Sequence, residues 1–447
     1  MDSNPSLTIL EQYKVSPPPA TVPMSSLPLT FFDFPWLLFH PIHTLLFYGK
    51  AHFTETIIPR LKSSLSITLK HVFPYVGNVI VYPTSPSKKP EIGYVEGDSV
   101  AFTSAECNFD FTDLTGNHPR NCDKFYPLIP ILSCTKVSEF VKIQIFSVQV
   151  TLFPNHGFSI GMSCHHSMGD ASTQFSFLNA WTSIARCGTD ELYLVNGTLP
   201  IYDRLIKYPK LDERFLKNTN LDTFNQNYQL PILSGPSDKV RSTFVLTRNV
   251  TNKLKKMVLT QQPTIPYVSS FTVACAYIWS CMAESRNDEL ELFCFYINCR
   301  PRMNPPIPAA YFGNCVIPCI TIEKTALLKG KEGFVTATKL LGENLNKILT
   351  DKDGVVNDSL TFHDSVANGM PTTTCGVAGT PKLKFYDMDF GWGKPKSYET
   401  ICLDYDQSIS MNCSKELNEA MEIGLSLSSS EMEAFVRIFN RGLEAYI

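Results

Sequence analysis

The stretch that most constrains the fold runs from Lys142 to Arg186, KIQIFSVQVTLFPNHGFSIGMSCHHSMGDASTQFSFLNAWTSIAR. Its first part alternates. Ile143, Ile145, Ser147, Gln149 and Thr151 fall on one face of an extended strand, and Phe146, Val148, Val150 and Leu152 on the other. Asn155-His156-Gly157 supplies turn chemistry, and a second strand follows. From Gly169 the period changes to that of a helix, with Phe175, Leu178, Trp181 and Ile184 on one face. The pair His165-His166 therefore sits where a strand ends and a helix begins, a place where side chains face a cleft.

The chain has 447 residues, more than one core usually holds, so two domains of roughly 200 residues each are expected. With 44% hydrophobic and 18% charged residues it is a globular sequence, and a net charge of -3 gives no electrostatic reason for a nucleic-acid partner. No apolar run reaches the roughly eighteen residues of a membrane span, so no membrane partner is expected. FTVACAYIWSCMA, from Phe271, reads as a buried helix. The N-terminus has no basic and apolar leader, and the fourteen cysteines lie mostly in apolar runs without C-x-x-C spacing. Both features point to reduced thiols in a cytoplasmic protein, without a metal site.

Along the chain, KVSPPPATVP is an extended lead. Ile57, Leu61, Leu65 and Leu69 then recur at helical spacing up to Phe73-Pro74, and NVIVYP starts a strand. After Arg186 the pattern dissolves into a polar, Pro-punctuated crossover with short helices. RSTFVLTRN resumes a strand, VSSFTVACAYIWSCMAESR is a helix that Ser269 or Ser270 caps, and ELFCFYINCRPR is a strand. GFVTATKLLGENLNKIL is a helix, and the chain closes on a strand and a helix with Ser428 and Glu431 at capping-box spacing. The expected organisation is an N-terminal domain over 1–186, a crossover over 187–238 and a C-terminal domain over 239–447. Each domain mixes strands and helices, giving an α/β or α+β architecture of two layers.

Three chemistries compete for HHSMGD. A hydrolase with Ser167 as nucleophile is disfavoured, because Ser167 adjoins His166 and no G-x-S-x-G elbow occurs. Zinc is disfavoured, because H-H-x-x-x-D offers no third ligand. A lone histidine acting as general base remains: neutral imidazole, with an ordinary pKa near 6.5, accepts a hydroxyl proton and returns it to a leaving group. That suffices when the acyl donor is already a thioester. The structural alternative is a hydrogen-bonded core histidine. Gly169 is expected to allow a sharp turn, and His166 and Asp170 are close enough for the loop to be fixed between them.

HHSMGD, followed more than two hundred residues later by DFGWG at Asp389–Gly393, resembles the BAHD family of plant acyl-CoA-dependent acyltransferases. LTFFDFPWL, SLSITLKHVFPYVGN, HPRNCDKFY and YFGNC at Tyr311–Cys315 extend the resemblance along the whole chain. YFGNC, NPPIPAAYFGNC and GTPKLKFYDMDFGWG are most similar to the anthocyanin and flavonoid glucoside malonyltransferase branch.

The resemblance implies two chloramphenicol-acetyltransferase-like domains, a channel between them, and a monomer with no permanently bound cofactor and acyl-CoA as co-substrate. It makes His166 the base, with His165 facing away. It turns Asp170 aside to pair with an arginine, Arg300 or Arg302 of NCRPR, and makes Asn314 of YFGNC a structural residue. Asp389 has two readings: a second acid/base, or a structural residue paired with an arginine in a tight turn that Gly391, Trp392 and Gly393 complete. For the tetrahedral oxyanion, backbone N–H groups and Thr380 are candidate donors. For coenzyme A phosphates the candidates are the helix N-terminus at Ser269 and Ser270, with Lys253, Lys255 and Lys256 upstream; a solvated lysine cluster is the alternative. A malonyl donor comes first, on an anthocyanin or related flavonoid glucoside at its glucose 6-hydroxyl. A malonyl carboxylate asks for a cation, and Gln174, where some relatives carry arginine, can hydrogen-bond but not neutralise it. Acetyl and hydroxycinnamoyl donors, and a non-catalytic scaffold of the same fold, stay open as alternatives.

Overall fold

In the computed structural model, which describes residues 6–446 apart from 50–53, 86–87, 206–207, 226, 351–373, 407 and 416–418, the helical stripe read from the sequence is the inner face of Thr54–His71. Ile57, Leu61, Leu65 and Leu69 are fully buried there. This helix packs beside Ala171–Cys187, whose Phe177, Leu178, Trp181 and Ile184 are buried, while Phe175 stays half-exposed against the ring of Phe385. Both helices cover a six-stranded sheet in the order Leu7–Val15, Val100–Cys107, Phe146–Phe153, Gly157–Cys164, Ile42–Gly49, Ser397–Thr400.

The alternation that begins at Lys142 is not one strand. It divides at Ile145: Phe140–Gln144 belongs to a separate five-stranded sheet and Phe146–Phe153 to the six-stranded one. Apolar alternation continues across the break because both sheets bury that face, so periodicity alone cannot reveal it. The hairpin beyond is as expected, with Phe153 opposite Gly157 and Asn155 at φ 66°.

A seven-stranded sheet carries the other half, in the order Val316–Lys324, Leu290–Asn298, Thr374–Ala378, Ile409–Cys413, Met421–Ser428, Lys239–Leu246, Arg120–Asn121. Among the described residues its helices are Arg248–Gln261, Ser270–Glu284, Gly330–Thr350 and Ser429–Tyr446. Ser269 caps the second through Thr272 N at 3.0 Å, and Ser428 and Glu431 form the expected box, with Glu431 N donating to Ser428 Oγ at 3.3 Å and Ser428 N to Glu431 Oε2 at 3.1 Å. The segment between the halves holds two short helices, Glu191–Asn196 and Pro209–Asn218.

Each half lends a strand to the other. Arg120–Asn121 joins the seven-stranded sheet beside Lys239–Leu246, and Ser397–Thr400 joins the six-stranded sheet beside Ile42–Gly49. The exchanged strands meet in a buried charge cluster. Arg120 Nη1 lies 2.6 Å from Glu399 Oε1, and Arg241 Nε lies 3.4 Å from Glu399 Oε2. Asp404 adds a second carboxylate at 3.7 Å from Arg241 Nη2. Two cations and two anions balance, which is the condition for burying any of them.

Arg120→Met leaves Glu399 underpaired and strips the donors from the Leu114 and His118 carbonyls. It should cost about 3–5 kcal/mol in chemical denaturation. Arg437→Met, on an exposed helix face, should stay within about 0.5 kcal/mol.

Candidate active site

His166 opens a single 3-10 turn, His166–Met168, between the end of the strand Gly157–Cys164 and the helix Ala171–Cys187. Its neighbour His165 is fully buried and accepts from Ser167 N through Nδ1 at 3.3 Å, whereas the His166 ring is half-buried. The two rings diverge because neighbours at a strand end face opposite ways. Trp36 stacks on the His166 imidazole, with centroids 3.7 Å apart and planes 6° apart, and Phe39 stands edge-on at 5.6 Å. Trp36 is in turn 5.2 Å from the ring of Tyr296, on the seven-stranded sheet, so His166 lies where the halves meet.

Desolvation lowers the His166 pKa to about 3, and His40 adds a smaller push in the same direction. Burial likewise takes His165 to about 4 and His43 to about 3. His166 is thus a neutral ring near pH 7. Ser167 is fully buried and its hydroxyl donates to the Asp33 carbonyl at 3.4 Å, so it is sealed away from any acyl carbonyl.

Asp170 caps the helix that follows. Its Oδ1 accepts from Ser172 N at 3.1 Å and Thr173 N at 3.2 Å, and its Oδ2 from Cys315 N at 3.0 Å. Arg300, not Arg302, meets it as a two-pronged pair, Nη1 to Oδ2 at 2.7 Å and Nη2 to Oδ1 at 3.2 Å. Arg302 instead donates to Asn298 O and is exposed. With both oxygens engaged and the residue buried, Asp170 has no lone pair to spare for His166. Gly169 does not provide a left-handed turn, as its φ of 165° is extended backbone. It is glycine because a Cβ there would meet the Thr173 side chain at 2.7 Å.

The YFGNC segment closes the same loop from the other half. Asn314 is fully buried and donates Nδ2 to His166 O at 3.0 Å, and Arg300 also holds the Tyr311 and Gly313 carbonyls. His166, Asp170, Arg300 and Asn314 are therefore brought together. Asp33, Trp36 and Arg204 complete the constellation and escaped the sequence reading. The available signal was an aspartate set among phenylalanines in LTFFDFPWL, a charge that a buried run tolerates only with partners.

Asp389, Gly391, Trp392 and Gly393 form a separate turn. Asp389 Oδ1 accepts from Gly391 N at 2.7 Å and Gly393 N at 2.9 Å, with both glycines at positive φ, 102° and 94°. The expected arginine pair is absent: among the described residues no arginine nitrogen lies within 4.0 Å of this carboxylate. Arg60 is close but committed elsewhere, donating to the carbonyls of Ala185 and Arg186 and lying 5.1 Å over the Trp392 ring. Trp392 packs on Phe158, at the opposite end of the strand that leads to His166. Six residues of strand separate Phe158 from Cys164, roughly 20 Å.

Of the remaining candidates, Lys255 and Ser270 line a cleft of about 820 Å³, together with Arg248, Lys384, Lys394 and Lys415. Arg248 and Lys394 are paired with Glu419 and Asp387. Lys384, Lys394 and Lys415 come from sequence far from Lys255, which is why the helix-terminus reading missed them. Ser269 spends its hydroxyl on the helix cap. Thr380 precedes Pro381 on the cleft and accepts from Lys382 N at 3.3 Å, with no bond to His166. Gln174 is half-buried in the first helical turn after Asp170. Among the described residues no cluster of three or more His, Cys, Asp or Glu could hold a metal, and no helix is long and apolar enough to cross a membrane.

His43, His165 and His166 all have folded-state pKa values below the unfolded value of 6.5. The unfolded chain then binds protons that the folded chain refuses. Stability from this source is full above about pH 6.5 and falls as the pH drops from there towards 4 and 3. Equilibrium denaturation should show that decline, and an activity profile should lack an acid limb near 6.5.

Residues 6–441 match the transferase family. The chain is 51% identical, over the full length of both, to malonyl-coenzyme A:anthocyanin 3-O-glucoside-6''-O-malonyltransferase of Dahlia pinnata. It is 40% identical to phenolic glucoside malonyltransferase 1 of Nicotiana tabacum, covering 98% of this chain and 99% of that one. The fold matches crystalline vinorine synthase with a TM-score of 0.70 at 21% identity, covering 96% of each. The chain belongs to the BAHD family of acyl-CoA-dependent acyltransferases.

Proposed function

We propose that this enzyme moves a malonyl group from malonyl-CoA to the glucose 6-hydroxyl of an anthocyanidin 3-O-glucoside or a related flavonoid glucoside, as a monomer in the cytosol. The observation that carries the reading is the half-buried, neutral His166 at the meeting of the two halves, in a chain 51% identical end to end to a malonyltransferase of that class.

The coenzyme A phosphates occupy the cleft lined by Lys255, Ser270 and Lys384, where cations and a helix N-terminus supply donors. One aromatic contact leads from that cleft towards the helix that follows Asp170 and supports this path for the thioester arm: Phe385, between Lys384 and Tyr386, packs on Phe175 at 5.4 Å. Trp36, Phe39 and Tyr296 form an aromatic wall suited to a flavonoid ring system. The Gln174 amide is a hydrogen-bond donor for the malonyl carboxylate.

His166 Nε2 accepts the sugar hydroxyl proton as the oxygen attacks the thioester carbonyl. A C–O bond forms and the carbonyl oxygen becomes an oxyanion. That developing negative charge makes proton uptake favourable for a ring that burial otherwise keeps neutral. Collapse breaks the C–S bond, and the imidazolium returns its proton to the coenzyme A thiolate. No acyl-enzyme intermediate is required. Asp170 serves the loop geometry, and Asp389, in its own turn, serves the fold.

Purified protein incubated with cyanidin 3-glucoside and malonyl-CoA should give a product carrying one added malonyl mass, with acetyl-CoA and coumaroyl-CoA much slower. His166→Ala should lower kcat by a hundredfold or more, on the order expected for a lost general base, while keeping its fold. Ser167→Ala should stay active. No product with any donor would remove the reading.

A further inference from the structure

Asp33 is a fully buried carboxylate that none of the steps above uses. Its four acceptor positions are filled. Oδ2 accepts from Thr30 N at 2.9 Å and Thr30 Oγ1 at 2.9 Å. Oδ1 accepts from Asn314 N at 3.2 Å and Asn314 Nδ2 at 3.0 Å. The nearest cation, Arg204, leaves its Nη2 at 3.9 Å, too far for a hydrogen bond. A carboxylate this deep, whose facing cation stands off at 3.9 Å and donates it no hydrogen bond, is costly to keep for packing alone.

The second half of the observation is where Asn314 sends its other proton. The same Nδ2 that faces Asp33 also donates to the backbone carbonyl of His166 at 3.0 Å. Asp33 reaches the loop a second time, since its own carbonyl accepts from Ser167 Oγ at 3.4 Å. It also sits three residues before Trp36, the ring that stacks on His166. One residue therefore bears on His166 through its carbonyl, its neighbour and its stacking partner.

We propose that Asp33 is a positioning residue for the transfer reaction: through Asn314 it fixes the peptide of His166, and so the direction in which the imidazole Nε2 points. The proposal rests on His166 being the base. Asp33 and Asn314 touch neither substrate in this arrangement, so their loss lowers the rate of the chemical step and leaves substrate binding alone. A charged acceptor is needed because both protons of Asn314 that face it must be accepted at one oxygen. An asparagine at 33 has only one oxygen and turns its NH2 either on Asn314 or on Thr30.

The test is a set of variants assayed with malonyl-CoA and cyanidin 3-glucoside: Asp33→Asn, Asn314→Ala, the double variant, and His166→Ala, each checked for fold by near-UV circular dichroism. Asp33→Asn and Asn314→Ala should each lower kcat on the order of tenfold to a hundredfold, as a misaimed catalytic group does, with both KM values within about twofold of the parent. The double variant should be no slower than the slower single, because the two act along one chain of contacts. Folded single variants with parental kcat, losses that multiply in the double, or a loss that appears in KM would each overturn the proposal. Should one single variant fail to fold, the other still gives the kcat-against-KM split. An active His166→Ala would instead overturn the reading of His166 as base, so the two failures are distinguishable.

Discussion

The Asp170 carboxylate and the Arg300 guanidinium meet where the two halves of the chain touch, and the geometry around His166 depends on that pair. Asp170 starts the helix Ala171–Cys187 of one half, and Arg300 follows the strand Leu290–Asn298 of the other. Neither charge would tolerate burial without its partner. The pair adds Cys315 N and the carbonyls of Tyr311 and Gly313, so it binds two loops rather than two side chains. His166 stands four residues before this anchor, and the peptide it belongs to is held by Asn314, one residue before Cys315. Asp170 thus spends both oxygens fastening a loop, and it carries no hydrogen bond to the imidazole four residues away.

The site divides its charges by function. The Asp170–Arg300 pair that fastens the loop is ionic, whereas the His166 ring, the proposed base, is kept neutral by desolvation beside Trp36 and Phe39. Lys384, Lys394 and Lys415 bring exposed cations to the cleft near Ser270, where the proposed polyanionic carrier suits them. The exchanged strands Arg120–Asn121 and Ser397–Thr400 make the halves mechanically dependent on each other, with the balanced Arg120, Arg241, Glu399 and Asp404 cluster at the crossing. The proposed general base, formed between two lobes, needs such a fixed relation, because an ångström of misplacement costs far more rate than stability.

Much of this was legible in the sequence. Periodicity located the helices at Thr54–His71, Ala171–Cys187 and Ser270–Glu284, and hairpin chemistry located the turn before His166, because these signals are local. The resemblance carried by HHSMGD, NCRPR and YFGNC named residues that gather at the site, whereas DFGWG named a separate turn. What the sequence hid is long-range. Nothing local says that Ser397–Thr400 leaves its own half, that the alternation from Lys142 spans two sheets, or that Arg60 prefers two helix-end carbonyls to Asp389. Asp33 was hidden for the same reason, as its partner lies 281 positions away.

The central claim is that the inter-half pair keeps the His166 loop in place. Amide hydrogen exchange on Arg300→Met measures this directly. The amides of Ser172, Thr173 and Cys315, which donate to Asp170, should lose protection together with residues 165–169, while the strand Phe146–Phe153 keeps its own. Unchanged protection across 165–173 in a folded Arg300→Met protein would contradict the account.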